Sequence, residues 1–180
     1  MPQIITDAQT AQTGYTKLSD ALIQKISSAK PDELKKLLED NQSIFDQADK
    51  ALKILSTFTS APTPEQKKAI SDIIIALSTT TKNIHDKINT LITPFFYNGT
   101  KRDPYNALGI TSETIKWEED INTAYTQAAG KPAADKALLD AAKNYLIKML
   151  PIKNLQTMYQ ERMDTINNTI KKIKTTFALG

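Results

Sequence analysis

Apolar side chains recur at steps of three and four along most of the chain, the spacing of a helix with one buried stripe. The first run is Ala8, Ala11, Tyr15, Leu18, Leu22, Ile26 and Ala29. Lys30-Pro31 should end it, because proline has no amide to continue the ladder and restricts the residue before it. Pro31 can in turn open the next helix, with Asp32 and Glu33 placed against the positive N-terminal dipole. That second stripe, Leu34, Leu38, Asn41, Phe45, Ala48, Leu52 and Leu55, alternates four and three throughout and predicts one uninterrupted helix. Asn41 would then be either a register-setting polar group in the seam or the seam's wet end.

Thr59 to Pro64 reads as a loop. Thr63 is placed to cap the third helix, with Pro64 at its first position and Gln66 as the reciprocal capping residue. The third stripe runs Ile70, Ile73, Leu77, Ile84, Ile88 and Leu91, with Thr80 and Thr81 in its middle, and Pro94 should terminate it. A last long helix is expected after Pro151, carrying Ile152, Leu155, Tyr159, Met163, Ile166, Ile170, Ile173 and Phe177. The four segments would each be about 33 to 43 Å long at 1.5 Å per residue. Burying each Leu or Ile of a stripe contributes about 1.5–3 kcal/mol, enough to override the helix-indifferent threonines. The expected fold is all-α: an antiparallel bundle of long helices, with residues 1–96 supplying three and residues 152–180 the last.

Residues 97–151 interrupt this pattern. Asp103-Pro104-Tyr105-Asn106-Ala107-Leu108-Gly109-Ile110 predicts one capped turn closed by glycine. Thr111 or Ser112 should cap a helix with Ile115, Ile121, Ala124, Tyr125 and Ala128, which Gly130-Lys131-Pro132 breaks. A further helix from about Ala134 to Met149 carries Leu138, Leu139, Ala142, Leu146 and Leu150. This segment resembles the J domain of DnaJ-type co-chaperones. The resemblance rests on the Asp103–Ile110 turn, on Ile121-Asn-Thr-Ala124-Tyr125 in the second helix and on Leu139, Ala142 and Leu146 in the third. It covers about a quarter of the chain and implies a small helical module inserted in the bundle.

Departures from that family bear on activity. An active J domain carries His-Pro-Asp after its second helix, where this chain has Ala133-Ala134-Asp135, so only Asp135 remains. The family's second helix presents a basic face, whereas Glu113, Glu118, Glu119 and Asp120 make this one acidic. The resemblance therefore implies a degenerate module, a packing or docking element without co-chaperone activity.

Composition narrows the chemistry. The chain has no Cys and one His, which removes thiolate nucleophiles and cysteine-based metal sites. His85 reads as solvent-facing, one position past core residue Ile84. Glu118, Glu119 and Asp120 are consecutive, so on a helix they diverge and read as a solvated face. No Gly-rich phosphate loop or nucleophile elbow is present, and no enzyme activity, cofactor or metal is expected. The net charge of +3 is small, and only Arg102 and Arg162 are arginines, so neither a guanine-reading fork nor an aromatic stacking series points to nucleic acid. The longest apolar run, Ile73 to Leu77, is far short of the roughly 20 residues that span a bilayer. Met1 to Tyr15 lack the pattern of a secretory signal, so a cytoplasmic location is the default and export as an effector the other option. Heavy use of Lys, Asn, Ile and Thr fits an AT-rich bacterial genome.

The function expected is therefore a non-enzymatic protein-interaction role, as adaptor, scaffold or effector, with a chaperone or a host protein as the partner class. The competing class is a membrane-surface-active helical protein. Partner contacts are expected from Tyr105, Trp117, Tyr125 and Asp135, followed by Phe95 and Phe96; with Tyr97 these sit beside Pro94 in an expected loop, where they either plug the junction between bundle and insert, the preferred reading, or form an exposed partner-binding patch. Trp117 is also expected to pack the insert against the bundle.

Overall fold

The computed structural model describes residues 2–96, 107–109 and 117–179, with Phe95 and Phe96 described by their backbone alone. Tyr105, Tyr97, the Thr111 or Ser112 cap and Ile115 lie outside the described residues. Among the described residues the fold is all-α, with six helices and no strand. These are α1 (Gln3–Ile26), α2 (Pro31–Asp40), α3 (Ile44–Ser56), α4 (Pro64–Phe96), α5 (Glu118–Ala129) and α6 (Lys136–Thr176). They form two compact units: Met1–Lys87 with Met158–Gly180, and Ile88–Thr157. The limits 97 and 151 drawn from the sequence fall inside the second unit, which also takes the end of α4 and the first half of α6.

In the first unit the expected stripes are buried almost throughout. Leu34, Leu38, Phe45, Ala48, Leu52 and Leu55 are in the core, as are Ile70, Ile73, Leu77 and Ile84 from α4 and Tyr159, Met163, Ile166 and Ile170 from α6. α1 packs on α3. Phe45 is the centre of the seam, 6.3 Å from the Tyr15 ring and 5.2 Å edge-on to that of Tyr159. Beyond their area, such ring pairs contribute about 0.5–1.5 kcal/mol each. The α4 start matches the capping pattern in the sequence: Thr63 N donates to Gln66 Oε1 at 2.9 Å and Gln66 N donates to Thr63 Oγ1 at 3.2 Å.

The second predicted helix is in fact two. α2 stops at Asp40 and α3 starts at Ile44, although the stripe runs on across the gap. Asn41 is half-buried at the break and neither sets register in a seam nor stands at its end. A helix break in a core frees carbonyls that must find donors. Here Asn41 Nδ2 donates to the Leu37 carbonyl at 2.7 Å, and the Tyr159 hydroxyl, from far along the chain, donates to that of Leu38 at 2.7 Å. Gln42 Nε2 reaches the Glu39 carbonyl. Burial pushes the Tyr159 phenol pKa well up, which keeps the proton where this bond needs it.

α1 differs in one register detail. Ser19, not Leu18, is in the core, and Leu18 is 46% exposed. Beside Ser19 lies a small hydroxyl layer against α4. Thr81 Oγ1 donates to the Leu77 carbonyl, so the Tyr15 hydroxyl, 2.8 Å away, donates to Thr81; Thr16 and Thr80 pair at 2.9 Å. Burial raises the Tyr15 pKa to about 12, against a smaller opposing effect of the Thr81 bond. At the other α4 positions, Ile92 takes the buried place expected of Leu91.

Two prolines do not stop their helices. α4 passes Pro94 and ends at Phe96, which puts Phe95 and Phe96 in a helical turn rather than the expected loop. α6 runs 41 residues through Pro151. An interior proline costs about 3 kcal/mol, but Leu146, Met149, Leu150, Ile152 and Leu155 around it are all buried. At about 1.5–3 kcal/mol each, their burial in a continuous helix outweighs the one lost bond. Pro151 itself is exposed, so the carbonyl it leaves bare can turn to water.

A candidate docking cleft in the second unit

Leu108, Ile121, Ala124, Leu139, Ala142 and Leu146, from the turn, α5 and α6, are buried in the second unit. Gly109 closes the turn at φ +67°, a left-handed conformation that a side chain would strain. The Tyr125 hydroxyl donates to Asp140 Oδ1, and Lys143 Nζ lies 4.6 Å from the centre of the Tyr125 ring. The Asp140 carboxylate, with some desolvation, raises the Tyr125 pKa. Tyr125 therefore ties α5 to α6, with its hydroxyl already engaged.

α5 ends at Ala129, and Gly130 to Asp135 lead into α6. Asp135 Oδ1 accepts from the Leu138 amide at 3.2 Å, capping α6. On α6 Leu139 turns inward and Leu138 outward, 47% exposed. Leu138 thus stands at the mouth of a cleft of about 330 Å³. Its walls are Ala107–Gly109, Ala128, the Ala133–Ala134 pair and Leu139, and Lys131 and Asp135 bring charge to it. Lys136, the first α6 residue, is exposed next to it. Neither lysine has an ion-pair partner among the described residues.

Trp117 precedes α5 and is 69% exposed, so it is not the packing residue expected from the sequence. Its amide donates to Asp120 Oδ2 at 2.9 Å, which assigns Asp120 to the helix cap, while Glu118 and Glu119 remain exposed. Of the residues expected to meet a partner, Asp135 lies at the cleft, Tyr125 ties α5 to α6, and Trp117 stands at the opposite end of α5. Nothing is described of the Phe95 and Phe96 side chains. Leu138, Lys131 and Lys136 were not singled out. The available signal was the Leu138-Leu139 doublet, whose members lie about 100° apart on a helix, so that a narrow stripe buries only one of them.

Two further grooves of similar size lie in the first unit. One, about 360 Å³, runs beside the α2–α3 break along Gln42, Phe45, Met158 and Arg162. Arg162 there lies over the Phe45 ring and pairs with Asp46 at 3.1 Å and Asp49 at 2.8 Å, so its donors are committed. The other holds half-buried His85, with Nδ1 3.3 Å from Asp86 Oδ1. Hydrogen bonds from Lys82 and then His85 lower the Asp86 pKa. Among the described residues no group of three or more His, Cys, Asp or Glu is placed to hold a metal ion, and no helix is long and apolar enough to cross a membrane. Comparison with protein-family models, with curated proteins and with solved structures gave no match.

Proposed function

We propose that this chain is a non-enzymatic helical interaction protein that takes a protein partner in the cleft of its second unit, a degenerate J-like module. The observation that carries this reading is Leu138, a large apolar side chain left half in water at the mouth of an apolar cleft. An aliphatic anchor beside a pocket, with charge at its rim, has the anatomy of a contact surface. Leu108, Ile121, Ala124, Leu139, Ala142 and Leu146, which are among the residues that carry the J-domain resemblance, are all buried, which supports a module of that kind. Asp135 serves the α6 cap in place of a His-Pro-Asp trigger.

A photo-crosslinking amino acid at position 138 tests the reading in the full chain, with position 75 as control. Ile75 is also solvent-facing, 57% exposed on α4, but lines none of these grooves. The expected result is a discrete protein adduct from position 138 and none from 75. Equal yields, or no adduct at either position, would remove the cleft as a binding surface.

A further inference from the structure

We propose that the partner is a second copy of this chain, docked head to tail, with Trp117 of one copy seated in the Leu138 cleft of the next. This rests on the cleft being the docking surface proposed above, and it assigns the occupant from complementarity present within one molecule. The cleft offers apolar walls with Lys131 in its lining and Lys136 exposed beside it, neither ion-paired among the described residues, while the Asp135 carboxylate in its lining is partly used by the Leu138 amide. Its occupant should therefore bring an apolar anchor with adjacent carboxylates. Trp117-Glu118-Glu119 has that composition: the only indole of the chain, 69% exposed, followed by two exposed acids. Asp120 does not compete, since it holds the Trp117 amide.

Within one copy the two are set at different ends of α5: Trp117 precedes the helix, whose twelve residues rise about 18 Å, and the α5 residue that lines the cleft is Ala128, near the other end. The two surfaces are different patches of one molecule, so pairing them gives a heterologous contact, which continues into a chain or closes into a ring. Its cleft of about 330 Å³ is at the low end of the roughly 300–1,000 Å³ of ligand pockets, which suits one side chain rather than a long segment. A single anchor with two rim ion pairs covers less than the roughly 800 Å² per partner of a standard interface, so the association is weak, with a dissociation constant on the order of 100 μM or above.

Trp117 is both the anchor and the sole tryptophan reporter. Sedimentation velocity and tryptophan emission are followed over a dilution series of the full chain. Wild-type mass is expected to rise with concentration while emission shifts to the blue, and added salt should weaken both. Trp117→Ala and Leu138→Glu should each remain monomeric, with at least about 30-fold weaker association, and circular dichroism verifies their folds. The decisive sample is their equimolar mixture. The first variant keeps the cleft and the second keeps the indole, so together they should form a dimer and nothing larger. A wild-type chain that stays monomeric with unshifted emission overturns the proposal, as does a mixture that stays monomeric while wild type associates. A monomeric chain whose position 138 still crosslinks a different protein overturns the self-docking and leaves the cleft as a partner site. A monomeric chain with no position-138 adduct removes both.

Discussion

Phe45 in the first unit is held between two phenols, each with a buried acceptor, whereas the second unit buries Leu108, Ile121, Ala124, Leu139, Ala142 and Leu146 with one tyrosine tie at its edge. Both are amphipathic helices closing on an apolar seam, but they are specified differently. Rings and hydroxyls of fixed geometry accept few alternative arrangements, while alanine and leucine surfaces can slide and repack at small cost. The first unit also uses its surface arginine internally, on Phe45, Asp46 and Asp49. Both units leave large apolar side chains in water, Leu18, Ile75 and Met158 in the first and Trp117 and Leu138 in the second, so the difference lies in how narrowly each core is specified.

The sharpest way to break this comparison is to empty the ring cluster. Phe45→Ala should cost the first unit about 3–5 kcal/mol, since it removes the ring shared by Tyr15, Tyr159 and Arg162. Leu146→Ala in the second unit should cost nearer 2–3 kcal/mol, as its alanine-rich surroundings can partly collapse. Urea unfolding of both variants measures this. A larger loss from Leu146→Ala would reverse the ranking of the two cores.

Alkaline titration separates the units next. Tyr15, with its pKa raised to about 12 by burial, holds its proton more tightly folded than unfolded. Its contribution is therefore complete below about pH 10, the unfolded value, and is lost as pH rises through about 12. That window should remove on the order of 3 kcal/mol through Tyr15, and the raised Tyr159 adds in the same direction. Amide exchange in α1 and α3 followed from pH 9 upward should show the loss beginning near pH 10. Tyr15→Phe should flatten it; an unchanged alkaline profile in that variant would show that the Tyr15 phenol does not carry the effect.

Tyr159→Phe keeps the ring contact and removes the donor to the Leu38 carbonyl. Leaving that buried carbonyl bare should cost about 1–3 kcal/mol and speed amide exchange in α2. α2 is the element to watch because only Leu34 and Leu38 anchor it in the core. If α2 exchanges as before, the break is held by Asn41 and Gln42 without the Tyr159 bond.

That break marks where the sequence stopped being informative. The stripes were legible because helix amphipathicity is a local, periodic signal, and the Thr63–Gln66 cap was legible because its partners are three residues apart. The interruption at Asn41 depends on a hydroxyl 121 positions from its acceptor, which no local pattern contains. Pro151 was misread for the converse reason: the local penalty is visible in the sequence, while the apolar burial that outweighs it depends on the tertiary fold. In the second unit Asp135 was singled out for its place in a motif, but its geometry makes it a cap. Trp117 was expected both to meet a partner and to pack the insert, and its exposure could only come from the structure.

The smallest expected effect tests whether the first unit is as fully satisfied as its rings suggest. Ser19 is buried in α1, yet its hydroxyl has no hydrogen-bond partner among the described residues. Leu18 is the more apolar residue, but at about 100° per residue it lies about 60° from the centre of the face defined by Tyr15, Leu22 and Ile26, while Ser19 lies about 40° from it. A buried, unmatched hydroxyl is a cost, and alanine has the better helix propensity by about half a kcal/mol. Ser19→Ala should therefore stabilise the first unit by about 1 kcal/mol, visible as a higher urea midpoint with unchanged slope. Thr81→Ala, one layer away, should do the opposite, because it strips the Tyr15 hydroxyl of its acceptor. Opposite signs from these two neighbouring hydroxyl deletions would show that partnering, not polarity as such, determines the worth of a buried hydroxyl here. A destabilised Ser19→Ala would mean that Ser19 has a partner of its own, such as a buried water, and that the seam is wired more completely than its protein-to-protein bonds indicate.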